Sequence, residues 1–507
     1  MEEESLSLDL SSLDPDDKNK NKKSSASVFK LLAPRSDLND DFGNYEYRLL
    51  GLTQLGYVPV AAAMLMTTFM EPTQEFCETI NKNDSNWSLN SRNEFFSLTV
   101  QYGFACQPNS NHTTAVMSSL LMWGALVGSF VCGFASDKFG RRPIYLGCLS
   151  MVTLGHMFFA SALVFSWAFI NAGLAVMGFF CGGYMVTNFI LLTEAFELPR
   201  SRLLVVSLNG WSVSMVLTAI AAYGTQHWLS YHVLMGTIGL VLAVLSSTMA
   251  WESCRWLSAN GLHREAKNTA LRVTAFNNKR IINQDDIVIL EWYEILGFSA
   301  PTHTEEKKTW KTLFESTRFL KPTAVMFYSF LASSIVSFGF YFSLDVLPGD
   351  RYVNMGLMGI AKFTLGLVPF VANHWTSKRK IAIVSVGFCC IAAFLILPIQ
   401  YYNIADFRWM VIGLSLCVAA GIDPTWKINH LYSAELFPTS VRSMARGVCN
   451  AGGRLGSVMA PMIVYLRTYE SFIPNTIFAV LLLVQLAVIF AFLPDDNDKD
   501  ANEMNDE

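Results

Sequence analysis

Long apolar stretches alternate with shorter polar ones along most of the chain. About twelve of the apolar stretches reach roughly 20 residues, the length that an α-helix needs to cross the hydrocarbon core of a bilayer. They lie near 49–70, 114–135, 143–164, 168–192, 203–225, 231–250, 322–347, 353–375, 381–401, 408–432, 449–466 and 472–493. Because backbone amides cannot stay unpaired in hydrocarbon, such segments are expected to be helical. The pattern therefore predicts an all-α polytopic membrane protein with twelve transmembrane helices.

Polar segments divide these helices into two sets of six. We expect residues 48–250 to form an N-terminal six-helix half and residues 322–494 a C-terminal half, joined by a linker over 251–321. Residues 1–47 are rich in Ser, Asp and Lys, which is typical of a disordered tail. Residues 495–507 form a short acidic tail.

The distribution of Lys and Arg predicts the orientation in the membrane. Cationic residues fill the loops on the side of the 251–321 linker, including Lys138, Arg141, Arg142, Arg200, Arg202, Lys378, Arg379, Lys380, Arg442 and Arg446. The opposite loops are poor in them, apart from Arg351, Arg408 and Arg467. Since Lys and Arg favour cytoplasmic loops, we expect the linker and both termini to be cytoplasmic.

The longest loop on the opposite side spans residues 71–112. It holds three glycosylation sequons, at Asn83, Asn86 and Asn111, which indicates passage through the secretory pathway and favours the plasma membrane. Cys77 and Cys106 share this loop on the oxidising side, so a disulfide between them is the first expectation, with two free thiols as the alternative.

Composition agrees with a membrane protein and excludes several other classes. The chain is 52% hydrophobic and only 15% charged, with a mean hydropathy of +0.33. A net charge of −4 suggests no nucleic-acid partner. The cysteines show no C-x-x-C pairs or histidine clusters, so we expect neither a metal nor a cofactor. The chain has no nucleophile elbow, phosphate loop or H-E-x-x-H pattern, so no catalytic residues are expected and an enzyme is disfavoured.

A loop motif follows the second predicted span. Residues 133–142 read GFASDKFGRR, which fits the pattern G-x-x-x-D-[RK]-x-G-R-R and resembles the signature of the major facilitator superfamily. The resemblance implies two six-helix halves that rock about a central site. Asp137 is expected near a helix N-terminus, where the dipole favours an anion, and Arg141 and Arg142 belong to the same conformational motif.

Further charged motifs resemble the gates of this superfamily on the linker side. Glu194 is followed by Arg200 and Arg202, either of which can be its partner, and Glu435 is followed by Arg442. Residues 251–257, with Glu252 and Arg255, are similar to the element P-E-S-P-R-W-L.

That last element and the large sequon-bearing loop narrow the resemblance to the organic cation, organic anion and carnitine transporters, closest to the carnitine and zwitterion branch. Residues 434–439 and 454–457 match this family best. The resemblance implies a lipid bilayer and a small organic ion as partners, and leaves sodium or a proton open as the coupling ion. The second-half copy of the loop motif, residues 373–380, lacks its Asp and glycines.

Ionisable residues inside predicted spans are candidate substrate contacts because they are costly there. Arg454 follows two glycines and stands where the family's anion and carnitine branches carry Arg; it can bind a carboxylate or hold an internal ion pair. Lys362 either adds to an anion-attracting field or snorkels to the interface. Asp423 and Lys427 are four apart and either neutralise each other or contact substrate.

Two aromatic residues complete the candidate site. Tyr341 in the seventh span and Trp211 in the fifth are placed to face a quaternary ammonium or to pack in the core. The main hypothesis is alternating-access transport of small organic ions. The alternatives are a sugar-type porter of the same superfamily and a transport-inactive, receptor-like homologue.

Overall fold

The computed structural model describes residues 42–72, 77, 94–107, 110–161, 166–196, 198–208, 210–278, 317–344, 347, 349–402, 407–437 and 439–493. This part of the chain is helical apart from turns and one isolated bridge between Phe96 and His227. The predicted acidic tail lies outside the described residues, as does most of the predicted N-terminal tail. The first helix begins at Asn44, within the last residues of the predicted tail.

In the part of the chain that the structure describes, twelve long helices build the fold. They are α1 (Asn44–Phe69), α2 (Ser110–Phe139), α3 (Arg141–Ala160), α4 (Trp167–Glu194), α5 (Arg200–Thr225), α6 (Trp228–Met249), α7 (Leu320–Phe342), α8 (Arg351–Ala372), α9 (Lys378–Tyr401), α10 (Trp409–Ser433), α11 (Thr439–Tyr465) and α12 (Ile473–Phe492). Eleven of them are long and apolar enough to cross a membrane; α11 has the length but is more polar. It packs against α7 and α2, so protein rather than lipid covers much of it. The predicted all-α membrane fold is confirmed.

Glycines set the closest helix contact of the first half, between α2 and α4. A Cβ on Gly128 would lie 1.8 Å from the Phe179 carbonyl oxygen, and one on Gly182 would lie 2.1 Å from the Ala125 carbonyl oxygen. Without side chains at these positions the two backbones touch, which is how helices gain packing energy in a bilayer, where apolar burial alone gives little.

Several helices are interrupted within the membrane-spanning region. The regular α-helical pattern breaks at Gly56 in α1, at Leu367 in α8 and at Ile422 in α10, directly before Asp423 and Pro424, although the backbone keeps right-handed helical dihedral angles there. Pro424 has no N–H, so it leaves a carbonyl of the preceding turn available to other donors.

The helix ends define two faces. We call the face with Phe69, Ser110, Arg351 and Tyr465 the loop face, and the face with Phe139, Glu194 and the linker helices Cys254–Ala259 and His263–Asn278 the linker face. The longer linker helix is fixed to the start of α1, where the Tyr45 N–H donates to Asn277 Oδ1 at 2.7 Å.

A disulfide joins Cys77 to Cys106 near the loop face, at a sequence separation of 29. Asn83 and Asn86 lie outside the described residues. Asn111 stands in the first turn of α2, where its Oδ1 accepts a hydrogen bond from Arg467 Nη2 at 3.3 Å.

Candidate functional site

Two lysines share one carboxylate inside the second half. Lys362 Nζ lies 3.5 Å from Asp423 Oδ1, and Lys427 Nζ lies 4.0 Å from Asp423 Oδ2. All three side chains are buried, at 1%, 7% and 5% exposure for Lys362, Lys427 and Asp423. The predicted Asp423–Lys427 pair is therefore the weaker contact of a three-residue cluster that carries a net positive charge.

Lys362 is held in place by two further acceptors. Its ammonium donates to Ser337 Oγ at 3.1 Å and to the Ala419 carbonyl at 2.7 Å, just before the break in α10. The ammonium also lies 5.4 Å from the centre of the Tyr341 ring. Full burial with these partners contradicts the predicted alternative in which Lys362 snorkels to the membrane interface.

Trp211 and Tyr341 connect the two halves. The indole N–H of Trp211 in α5 donates to the Tyr341 hydroxyl in α7 at 3.2 Å. The Ser337 hydroxyl lies 3.4 Å from the Tyr341 hydroxyl and accepts from Lys362, so hydrogen bonds run from α5 to the charged cluster. Sequence analysis missed Ser337, because a serine in an apolar helix gives no signal of its own.

Two glycines place Arg454 deep in the bundle. A Cβ on Gly452 would lie 2.3 Å from the Phe327 carbonyl oxygen, and one on Gly456 would lie 2.5 Å from the Leu331 carbonyl oxygen, so α11 lies directly against α7. Within the described part of the chain, the guanidinium donates only to a sulfur, Met185 Sδ at 3.4 Å in α4 of the other half. Among the described residues, no carboxylate lies within 4 Å of Arg454.

Arg141 is the centre of the charged motif on the linker face. Its guanidinium pairs with Asp137 one turn earlier and with Glu194 of α4 at 3.2 Å. Glu194 therefore pairs with Arg141, and in the described part of the chain neither Arg200 nor Arg202 reaches it. Arg202 Nε instead donates to the Phe196 carbonyl at 3.0 Å.

Glu252 occupies the N-terminus of α3. Its carboxylate accepts from the backbone N–H groups of Arg141 at 3.0 Å and of Arg142 at 3.1 Å, where the helix dipole favours an anion. Asp137, which we expected near a helix N-terminus, is largely exposed, with 66% of its side chain accessible. At the N-terminus of α3, the carboxylate that accepts from the backbone N–H groups is that of Glu252.

The remaining predicted gate residues are distributed around this motif. Arg255 donates to the Phe196 carbonyl at 3.1 Å, the same acceptor that Arg202 uses. Arg200 is exposed, and its guanidinium lies 5.9 Å from the ring of Phe370 in α8. The side chains of Glu435 and Arg442 lie outside the described part of the structure.

The loop face is closed by contacts that the sequence did not reveal. Arg351 at the start of α8 pairs with Glu94 at 3.2 Å and donates to the Glu71 carbonyl at 2.8 Å, so it ties the second half to the first loop. Tyr352 stacks on Phe69 with 5.5 Å between ring centres. The available signal was the presence of Arg351 among loops that are otherwise poor in cations.

Contacts between the halves also occur toward the linker face. The ring of Phe189 in α4 lies 5.2 Å from that of His430 in α10, and the Arg446 guanidinium lies 5.6 Å from the same Phe189 ring. The halves therefore meet on both sides of Trp211 and Tyr341, and the structure is a closed state.

Comparison with known families identifies the class of protein. The family model described as Major Facilitator Superfamily matches residues 93–461, and the chain belongs to this superfamily. Its relatives include solute carrier family 22 member 16 of Bos taurus, 27% identical over 80% of this chain and 69% of the relative. Member 4 of the same family from Mus musculus is 26% identical over 79% of this chain and 70% of the relative. These relatives confirm the predicted resemblance to the organic cation, organic anion and carnitine transporters.

Solved structures support the same fold. A D-xylose–proton symporter superimposes with a TM-score of 0.59 at 12% identity, covering 89% of this chain and 99% of that one. The human organic anion transporter MFSD10 (TETRAN) gives a TM-score of 0.56 at 14% identity, covering 88% and 99%. At such low identities the similarity concerns the fold alone.

Proposed function

We propose that this protein transports small organic ions that carry a carboxylate, by alternating access of a site between its two halves. The observation that carries the proposal is Arg454. An intramembrane guanidinium with no carboxylate partner in the described structure is costly to bury. A substrate carboxylate supplies the missing partner through a forked pair of hydrogen bonds.

The charges around Arg454 support an anionic group on the substrate. Lys362 and Lys427 outweigh Asp423 by one positive charge, and Arg454 adds a second, so the interior of the second half is electropositive. A neutral sugar needs no such field. The Trp211 ring nearby offers a face for a quaternary ammonium, so a zwitterion fits the same region.

The contacts between the halves support the transport mechanism. For the site to open at the loop face, Arg351 must leave Glu94 and Tyr352 must leave Phe69. For it to open at the linker face, Phe189 must separate from His430. A substrate shifts this equilibrium only by binding one state more tightly than another. The ion pairs of Arg141 with Asp137 and Glu194 are proposed to stabilise one of these states.

We propose that the linker face is cytoplasmic and the loop face extracellular, in the plasma membrane. The Lys and Arg residues of the linker face support this orientation, as does a disulfide on the opposite side. Asn83 and Asn86 are then the proposed glycan acceptors.

Uptake by cells that express the protein tests this function. Three labelled probes are compared: tetraethylammonium, carnitine and an aromatic carboxylate. For Arg454→Ala we expect carboxylate and carnitine uptake to fall about ten- to hundredfold, the cost of losing a charge-assisted pair. Arg454→Lys should retain part of the activity. Arg264→Ala, which removes an exposed arginine of the linker helix, is the matched control.

Surface biotinylation separates lost transport from lost expression. If wild type reaches the surface but takes up none of the probes, the proposed function is wrong, and the sugar-porter and receptor hypotheses gain support. If Arg454→Ala transports the carboxylates as well as wild type, the site is elsewhere.

A further inference from the structure

A small cavity lies between the halves near the loop face, separate from the cluster around Asp423. Its walls include Thr67, Glu71 and Thr114 of the first half and Phe342, Tyr465 and Arg467 of the second. In the closed state its volume is about 30 Å³, enough for about two water molecules. The substrate site proposed at Arg454 does not include this cavity.

Glu71 brings a negative charge to one wall of this cavity. Its carboxylate accepts from Ser110 Oγ at 2.5 Å and from Thr114 Oγ1 at 2.8 Å, which are neutral donors. Among the described residues, no cationic side chain lies within 4 Å of its oxygens. The Glu71 carbonyl is held by Arg351 at 2.8 Å, so the position of the residue is fixed while its charge is not neutralised.

Thr67 adds a buried hydroxyl at the same wall. It belongs to the last turn of α1 and is 2% exposed, and its Oγ1 has no hydrogen-bond partner among the described residues. An unpaired buried hydroxyl is costly, so buried hydroxyls normally have a partner. A ligand in the cavity provides one.

Arg467 brings a positive charge from the second half. Its Nη2 donates to Asn111 Oδ1 at 3.3 Å, and the side chain lines the cavity. The aromatic side chains of Phe342 and Tyr465 line the cavity beside it. The cavity thus combines a carboxylate from one half, a guanidinium from the other, and aromatic surface.

We propose that this cavity is a vestibular binding site for zwitterions. The substrate ammonium pairs with Glu71 and its carboxylate with Arg467 before the molecule moves on to Arg454. The inference rests on the proposed function, because it assigns a first binding site to the same substrate. Ligand pockets measure roughly 300 Å³ or more, so docking takes place when the halves part at the loop face.

Binding measured on purified full-length protein in nanodiscs tests the site directly, with labelled carnitine as the probe. Arg454→Ala removes the deep site, so this variant should keep a single carnitine site. Adding Glu71→Gln or Arg467→Gln to Arg454→Ala should remove that remaining site. Glu470→Gln, an exposed carboxylate on the same face, is the matched control and should change nothing.

Uptake kinetics give a second readout, because the two charges recognise different groups. Glu71→Gln should raise KM for carnitine and tetraethylammonium about tenfold and leave the aromatic carboxylate unchanged. Arg467→Gln should raise KM for carnitine and the carboxylate and leave tetraethylammonium unchanged. In both variants the maximal rate should stay close to that of wild type. Thr67→Val, which keeps the side-chain shape, should weaken carnitine binding less than either charge substitution.

The outcomes separate this inference from the proposed function. If wild type binds carnitine but Arg454→Ala binds none, the vestibular site is wrong and the transport proposal stands. If Arg454→Ala binds carnitine in a Glu71-dependent manner while wild type moves no probe, the vestibular site stands and transport fails. If wild type neither binds nor transports carnitine, both are overturned.

Discussion

Lys362 Nζ and Asp423 Oδ1 lie 3.5 Å apart in the interior of the second half, and the two residues come from different helices. Lys427 reaches the other oxygen of the same carboxylate from one turn away, at 4.0 Å. Because both lysines pair with Asp423, substitutions at these three residues should differ in their effects on the stability of the protein.

Asp423→Asn should be the most destabilising of the three, since it leaves two buried ammonium groups without a counter-charge. Loss of one partner of a buried pair costs about 3–5 kcal/mol. Lys362→Met leaves only the longer Asp423–Lys427 contact and should be the second most destabilising. Lys427→Met leaves the closer pair of Lys362 and Asp423, whose charges cancel, and should be the least destabilising. Thermal unfolding of the purified variants measures this order, and a milder effect for Asp423→Asn than for Lys427→Met would contradict the cluster.

The hydrogen bond between Trp211 and Tyr341 should stabilise the closed state. Trp211→Phe keeps an aromatic ring but removes the N–H donor, at a cost of about 1 kcal/mol. The open population should then rise about fivefold. Maleimide labelling of Ser118→Cys, a residue that lines the loop-face cavity, reports opening.

Tyr341→Phe should accelerate this labelling to a similar extent. The double variant Trp211→Phe/Tyr341→Phe should label little faster than either single variant, because both substitutions remove the same hydrogen bond. Trp409→Phe, at a 77% exposed tryptophan, serves as the control. Additive effects of the two substitutions would show that the rings act independently.

Gly452 should tolerate no side chain. A Cβ there would lie 2.3 Å from the Phe327 carbonyl oxygen, whereas one on Gly447 of the same helix meets nothing within 4 Å. Gly452→Ala should destabilise the protein by about 1–3 kcal/mol by forcing α11 away from α7. Gly447→Ala should be neutral or slightly stabilising, since alanine favours a helix. Unfolding temperatures of the two variants provide the comparison, and equal values would refute this packing.

Asn111 should carry no glycan, although it lies in a sequon. Its side chain is half-buried in the first turn of α2, and its Oδ1 accepts from Arg467. Asn83→Gln and Asn86→Gln should each increase electrophoretic mobility by one glycosidase-sensitive step, and Asn111→Gln should not. A mobility shift for Asn111→Gln would mean that this end of α2 is accessible during synthesis.

The Cys254 thiol should react slowly at neutral pH. Burial raises the pKa of this thiol to about 11, so its thiolate fraction at pH 7 is far below that of an ordinary cysteine with a pKa of about 8.5. The labelling rate of the native protein should rise about tenfold per pH unit between pH 7 and 9, since this range lies below the raised pKa. Cys254→Ser assigns the signal in mass spectrometry, and a rate that levels off near pH 8.5 would contradict the shift.

The sequence alone predicted the spans, because roughly 20 apolar residues in hydrocarbon have to form a helix. It also predicted the superfamily, because residues 133–142 retain a complete loop motif. The cluster was only half predicted. The four-residue spacing of Asp423 and Lys427 indicates a pair on one helix, but nothing in the sequence places Lys362 of α8 against them.

The ion pairs between distant residues could not be predicted from the sequence, because they depend on which helices pack together. The partner of Glu194 is Arg141, 53 residues earlier, and not one of the arginines that follow it. Arg351 and Glu94 are separated by 257 residues, and their ion pair exists only because α8 begins beside the first loop. A sequence fixes local periodicity and charge through short-range sterics and solvation, so helices and orientation can be predicted from it. The pairing of charges between helices follows from close packing at residues such as Gly452 and Gly456, and only the tertiary structure decides it.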